Sequence, residues 1–434
     1  MAIYTAAITR HRPIQLQPLD RVWGTPTGRP LRRAAVVAVA KKAIEGVGDE
    51  LNAVAAENMD FAPARRRVRY AFADVHRRLD HFLFKIAPTG IQMEERYEMN
   101  SKGVEVFWKS WLPKPGTTTK AALFFCHGYG STCTFFFEGI AKIIADAGYA
   151  VFAMDYPGFG LSQGLHGYIP SFDGMVDHVI EQYAAIRAME GVRELRHFLL
   201  GQSMGGAVAL KIHLKQPEEW DGVLLVAPMC KIAEEVTPPG PVLKALTLMS
   251  YVLPEAKLFP QKDLGVLSFR DPTKRKVAEL NVISYSDQMR LRTAVELIKA
   301  TQDIESQLKK DIYVDHQNPS FPSSTFILQT NKYTLLQGTI RRTMACVLEA
   351  KFRILITRKI FQVRSPLLIL HGAADKVTDP NVSKILYNMA NTNDKTLKLY
   401  EEGFHCILEG EPDGRILSVI NDIISWLDSH SDKN

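Results

Sequence analysis

An α/β architecture, a mostly parallel sheet flanked by helices, is the fold class that this sequence predicts. Three observations predict it. From about Met93 onward, short apolar runs alternate with helix-like segments, the pattern of strands joined by helical crossovers. The stretch Gly201-Gln202-Ser203-Met204-Gly205 stands between the apolar run His197–Leu200 and the helix-like Ala207–Ile212. Ser203, Asp375 and His405 each come just after a strand-like run, in that order along the chain.

A chain of 434 residues has room for one large α/β domain or two average ones, and 46% hydrophobic residues suffice for a sizeable core. A net charge of +6 is mild at this length, and no zinc-finger, RRM or KH pattern is present, so nucleic acid is not an expected partner. Cys126, Cys133, Cys230, Cys346 and Cys406 are scattered, odd in number and form no C-x-x-C pair. They read as reduced thiols rather than a disulfide framework or a metal site, and no cofactor or metal is expected.

Residues 1–60 read as a basic N-terminal extension. Between Met1 and Ile44 the sole acid is Asp20, against eight arginines and lysines. This composition fits an organelle transit peptide, with the chloroplast as the expected address, although serine is absent before Ser101. A disordered basic tail in a cytoplasmic or membrane-peripheral protein fits it equally. The apolar run Ala34–Ala40 is too short to cross a bilayer, which takes about 20 residues. Over 61–91, arginines 65, 66, 67, 69, 77 and 78 alternate with Val68, Tyr70, Phe72, Val75, Leu79 and Phe82. That spacing predicts an amphipathic basic helix, able to touch an anionic membrane surface or to pack on the domain.

Residues 92–428 carry the α/β pattern. Val104–Trp108 alternates as a strand, and Ala121–Cys126 is a continuous apolar run, as in a buried central strand. The turn His127-Gly128-Tyr129-Gly130 follows. Together with the residue after a turn serine, such a turn supplies two backbone N–H groups to an oxyanion, here those of Tyr129 and Met204. A third glycine at the dinucleotide spacing is missing, which argues against a phosphate-binding loop. The His127 ring is expected to pack beneath its turn. Phe135–Ala147 reads as helix, Tyr149–Met154 as strand, Ser171–Met189 as helix and Gly222–Ala227 as strand. Asp155, in the turn-rich loop after Met154, is expected to brace that loop. Residues 228–307 show no strand pattern and read as a mainly helical lid, with the apolar Val242–Leu253 either lining its entrance or forming its core. The strand Ser365–Leu370 delivers Asp375. The competing Asp379 precedes Pro380 and a helix, and so reads as an N-cap. Thr396–Tyr400 is the last strand, ahead of His405, and Ile416–Leu427 the closing helix.

The chemistry asks for these residue types together. A serine hydroxyl is a weak nucleophile until a neutral imidazole takes its proton, and a carboxylate on the far side of the ring fixes the tautomer. A serine on a strand-to-helix turn stands clear of the sheet edge, with the positive end of a helix beneath it.

Six stretches carry a family resemblance. They are His127-Gly-Tyr-Gly130, Asp155-Tyr-Pro-Gly-Phe-Gly160, Gly201-Gln-Ser-Met-Gly-Gly206, Leu370-His-Gly-Ala-Ala-Asp375, Val377-Thr-Asp-Pro380 and His405-Cys-Ile-Leu-Glu-Gly-Glu-Pro412. With them, the segments from about Gln92 to Gln307 and Val363 to Asp428 resemble plant monoacylglycerol lipase-like hydrolases. That group has a serine aminopeptidase S33-type domain and includes lysophospholipase-like and caffeoylshikimate esterase-like members. The resemblance implies an α/β-hydrolase fold with a helical lid. It also implies hydrolysis of a lipid ester such as monoacylglycerol through an acyl-serine intermediate, with Ser203 as nucleophile, His405 as base and Asp375 as its orienter. Lysophospholipids and caffeoylshikimate-type esters are the alternatives within the class. A ligand-binding receptor on the same fold, or an inactive product, lies outside it.

Residues from about 310 to 362 depart from this pattern. The resemblance implies a near-direct passage into the next strand, yet about fifty residues intervene. Our expectation is translated intron or a gene-model artefact, extruded without unfolding the domain because loop-closure entropy grows slowly with length. A regulatory or membrane-contacting insertion is the alternative.

Overall fold

The computed structural model describes residues 43–233, 236–260, 262–315 and 363–432, with side chains left out over 307–315. The chain enters through short helices α1 (Asp49–Ala55), α2 (Ala62–Ala71), α3 (Ala73–Arg77) and α4 (Phe82–Lys85). Strands β1 (Gln92–Met99), β2 (Glu105–Leu112) and β3 (Ala121–Cys126) follow, then α5 (Phe136–Asp146), β4 (Tyr149–Met154) and α6 (Phe172–Arg187). Next come β5 (His197–Gln202), α7 (Met204–Lys215) and β6 (Gly222–Val226). A helical insertion holds α8 (Gly240–Val252), α9 (Leu264–Ser268), α10 (Pro272–Ala278) and α11 (Leu291–Asp315). The chain closes through β7 (Leu367–Gly372), α12 (Pro380–Met389), β8 (Lys395–Tyr400) and α13 (Asp413–Ser431).

These strands form one eight-stranded sheet in the order β1-β2-β4-β3-β5-β6-β7-β8. The pairs β1–β2 and β2–β4 are antiparallel and all the others parallel. Strands β3, β4, β6 and β7 are buried along their whole length, as their unbroken apolar runs require. Side chains alternate between two cores. Phe124 and Cys126 join α6, α7 and α12 on one face, whereas Leu123 and Phe125 join α5 and α13 on the other.

β4 lies on one side of β3 and β5 on the other. Between β3 and β5 the winding reverses, which opens a crevice at their carboxyl ends. The loop from His127 and the turn at Ser203 both emerge there. A Cβ on Gly128 would sit 3.4 Å from the Ser203 Cβ. The turn itself depends on bare backbone. Ser203 sits at φ 55, ψ −121, a region few side chains tolerate. A Cβ on Gly205 would lie 1.9 Å from the Cys126 carbonyl oxygen, and one on Gly201 would lie 2.3 Å from that of Gly205. Gly205→Ala is therefore expected to cost more than ~4 kcal/mol, because rigid strand backbone cannot move aside. A thermal melt within a few degrees of wild type would contradict this.

The N-terminal segment differs from expectation. Instead of one basic helix over 61–91, the chain breaks at Phe72 (φ −86, ψ 2) and again at extended His81. Burial of the Phe72 and Leu83 side chains in the same core as α5 requires those bends. Arg65, Arg66 and Arg69 face the domain, whereas Arg67, Arg77 and Arg78 are exposed. Arg65 is wholly buried and donates to the carbonyls of Met59, Gly160, Ser162 and Gly164. Burial pulls its pKa down to about 10, against the opposing pull of Asp155. Arg66 bonds Leu161 O and Glu105, and Arg69 forks onto Glu95. Residues 49–55, expected within a disordered extension, form α1, and Ala55 packs in this core too. The core of the sheet domain thus begins upstream of Gln92. Residues 1–42, where the transit-peptide reading falls, lie outside the described residues, as does 316–362 of the atypical segment. α11 runs into the latter as far as Asp315. Among the described residues no helix is long and apolar enough to cross a membrane.

In the insertion, α8 divides its apolar residues. Leu246 packs with Phe259, Leu291 and Ala294, whereas Leu248, Tyr251 and Val252 are 70%, 71% and 79% exposed.

Candidate active site

The strands deliver three side chains to the crevice. The hydroxyl of Ser203, at the end of β5, donates to His405 Nε2 at 2.8 Å. On the other side of the ring, His405 Nδ1–H donates to Asp375 Oδ2 at 2.7 Å. Ser203, Asp375 and His405 are thus brought into one hydrogen-bonded line, although 202 residues separate the first from the last.

Asp375 sits in the turn after β7 with its side chain fully buried. Its Oδ1 accepts from the amides of Val377 (2.7 Å) and Thr378 (3.1 Å). Its Oδ2 accepts from the Thr378 hydroxyl (2.8 Å) and from His371 Nε2 (3.0 Å) as well as from His405. Burial alone would raise its pKa. The neighbouring His405 charge and the bonds from His371 and His405 outweigh that, and hold the carboxyl far below its usual range. His405 shows the converse. Burial lowers its pKa, but Asp375, by charge and by hydrogen bond, lifts it above the ordinary 6.5.

Two backbone amides belong to the turns that meet at this crevice. Among the described residues neither Tyr129 N nor Met204 N donates to a protein acceptor, and the Gly128 backbone lies against Ser203. Both amides therefore remain available to an oxyanion.

The other candidates are structural. Asp155 accepts the amides of Cys133 (2.7 Å) and Leu161 (2.8 Å) and braces its loop. The His127 ring stacks on Tyr156 at 3.9 Å, its Nε2 accepts the Tyr156 amide, and burial lowers its pKa. Asp379 caps α12 through the Asn381 amide. Cys126, Cys133, Cys230 and Cys406 are free thiols, and Cys346 lies outside the described residues. Among the described residues no group of His, Cys, Asp and Glu could hold a metal ion. A cavity of about 230 Å³ lined by Gln92, Lys114, Thr119 and Glu190 opens at the amino ends of the strands, far from Ser203.

Sequence reasoning missed His371, Thr378 and Glu409. All three lie within the quoted motifs, and for His371 its place four residues before the acid was the available signal. His371 Nδ1 accepts from Ser383 Oγ at 2.7 Å, which orients Nε2–H toward Asp375. The carboxylate of Glu409 accepts from Gln202 Nε2, next to the serine.

Comparison with known proteins bears on the family and the fold. The sequence profile of the family described as "Serine aminopeptidase, S33" matches residues 117–313 and 326–413. The caffeoylshikimate esterase of Arabidopsis thaliana is 28% identical over 340 residues, covering 78% of this chain and 86% of its own length. The monoglyceride lipase of Mus musculus is 26% identical over 329 residues, covering 76% and 88%. Among solved structures, a soluble variant of monoglyceride lipase from Saccharomyces cerevisiae, in complex with a substrate analog, superimposes with a TM-score of 0.58 at 19% identity. The match covers 80% of this chain and all of that one, and shows the shared α/β-hydrolase fold.

Proposed function

The chain belongs to the serine aminopeptidase S33 family, and from that premise we propose that it is a serine ester hydrolase releasing a fatty acid from monoacylglycerol or a similar lipid ester. The observation that carries this reading is the line Ser203–His405–Asp375, with contacts of 2.8 and 2.7 Å.

In this mechanism His405 takes the Ser203 proton as the hydroxyl oxygen attacks the ester carbonyl. The amides of Tyr129 and Met204 stabilise the oxyanion that forms. Collapse expels the alcohol, which receives the proton from His405. Water, deprotonated by the same imidazole, then releases the acid and restores Ser203. Asp375 holds the ring in the tautomer that leaves Nε2 free to accept.

The base must be neutral, so activity falls as pH drops through the pKa of His405. Because Asp375 raises that pKa, the acid limb of kcat/KM is expected to have its midpoint above 6.5. A midpoint at or below 6.5 would contradict the assignment of His405 as the base in contact with Asp375.

Preference for a lipid ester is supported by the monoglyceride lipases among the relatives and by the outward apolar face of α8. On this reading α8 rests on the lipid surface that presents the substrate. Leu248→Asp with Val252→Asp is expected to reduce cosedimentation with lipid vesicles at least ~5-fold, while hydrolysis of a water-soluble ester persists. Unchanged cosedimentation would remove this role. The Arabidopsis thaliana relative supports a second reading, a caffeoylshikimate-type esterase, with lysophospholipids as a third substrate class. A panel of monoacylglycerol, lysophosphatidylcholine and a hydroxycinnamate ester, with Ser203→Ala as the blank, separates them. The highest kcat/KM is expected for monoacylglycerol, by about tenfold or more. A reversed order would change the substrate assignment, and hydrolysis of no ester would overturn the enzyme.

A further inference from the structure

Building on the triad reading above, we propose that Glu409 is a positioning residue of the active site. It ties the loop of His405 to the turn of Ser203 and sets a second carboxylate beside the imidazole. Gln202 immediately precedes Ser203, and Glu409 follows His405 by four residues. Gln202 Nε2 donates to both carboxylate oxygens of Glu409, at 2.9 and 3.0 Å. The two segments joined by the Ser203–His405 hydrogen bond are therefore joined a second time, one residue upstream of the serine.

The tie is anchored from outside. His81, at the start of α4, donates from Nε2 to the Glu409 carbonyl at 3.1 Å. The Cys406 amide donates to Ser268 O, and the amides of Arg270 and Asp271 donate to Gly410 O, each at 3.0 Å. The 405–410 turn is thus gripped by the N-terminal helices and by the helical insertion, and Glu409 carries that grip to the serine.

Its charge also matters. The groups facing the Glu409 carboxylate are the Gln202 amide, the Cys406 thiol and the His405 imidazole. Those facing His405 are Ser203, Asp375, Thr378 and Glu409. Among the described residues no lysine or arginine pairs with Glu409. When ionised, its carboxylate acts on the one nearby group that becomes cationic in the reaction, the imidazolium of His405. Burial raises the Glu409 pKa, and Gln202, Cys406 and His405 oppose that rise.

The test is the rate of inactivation by a fluorophosphonate probe from about pH 5 to about pH 9, which reads the activated serine without assuming a substrate. Glu409→Gln keeps an oxygen for Gln202 Nε2 and removes the charge, so the acid-limb midpoint is expected to fall by about half a pH unit. Glu409→Ala removes the tie as well, and is expected to lower the plateau rate about tenfold. Glu401→Gln, a neutralised exposed glutamate before the same loop, controls for distant charge and should leave the midpoint in place. A Glu409→Gln midpoint equal to wild type, or matched by Glu401→Gln, overturns the proposal. If Glu409→Ala melts early, Glu409→Gln alone decides. A wild-type chain that never reacts with the probe would instead remove the triad reading, and the proposal with it.

Discussion

Replacing Ser203 by alanine is expected to lower ester hydrolysis about 10⁶-fold with the fold intact. The Cβ that already occupies φ 55 is kept, so the strained turn gains no new clash. What disappears is the one oxygen that His405 Nε2 contacts in the described structure. No second hydroxyl at Nε2 takes its place, since Thr378 Oγ1 lies 3.3 Å from Nδ1, on the opposite side of the ring. The residual rate would come from oxyanion stabilisation and substrate binding alone, each of which survives. Single-turnover kinetics with a melting curve checks both halves. Retention of more than ~1% of the rate would place the nucleophile elsewhere.

Asp375→Asn should cost about 10⁴-fold, and stability as well. All five groups that contact the carboxylate are hydrogen-bond donors: two backbone amides on Oδ1, and Thr378, His371 and His405 on Oδ2. An asparagine offers a single oxygen, so its NH₂ must point either at the two amides or at the three side chains. The first orientation buries opposed donors. The second forces His405 to accept at Nδ1, which puts its proton on Nε2, where it cannot take one from Ser203. A loss of less than about tenfold in kcat would mean that His405 does not depend on Asp375 for its tautomer.

The sequence carried the sheet and the serine turn because both rest on local signals. Unbroken apolar runs become buried parallel strands, and Gly201 and Gly205 mark places where no Cβ fits. Strand β1 was not legible, since Gln92–Met99 is an edge strand exposed along most of its length and reads as polar chain. The basic segment misled for a related reason. A charge pattern records guanidinium groups but not the carbonyls waiting for them, so Arg65 looked like surface and is core. Glu409 stayed hidden because its partner, Gln202, lies 207 residues away. Only the folded chain brings the two together.

Arg65 also bears on what can be exchanged between relatives. It serves Gly160, Ser162 and Gly164, roughly 95 to 99 residues downstream. The residues matched by the family profile begin only at 117. A chimera joined at that boundary to a partner with no arginine at this place would inherit the loop without the guanidinium that satisfies it, leaving several carbonyls buried and unmatched. Exchange between relatives should therefore treat residues from α1 onward as one module, since Ala55 packs in the same core, and a junction within it should be penalised.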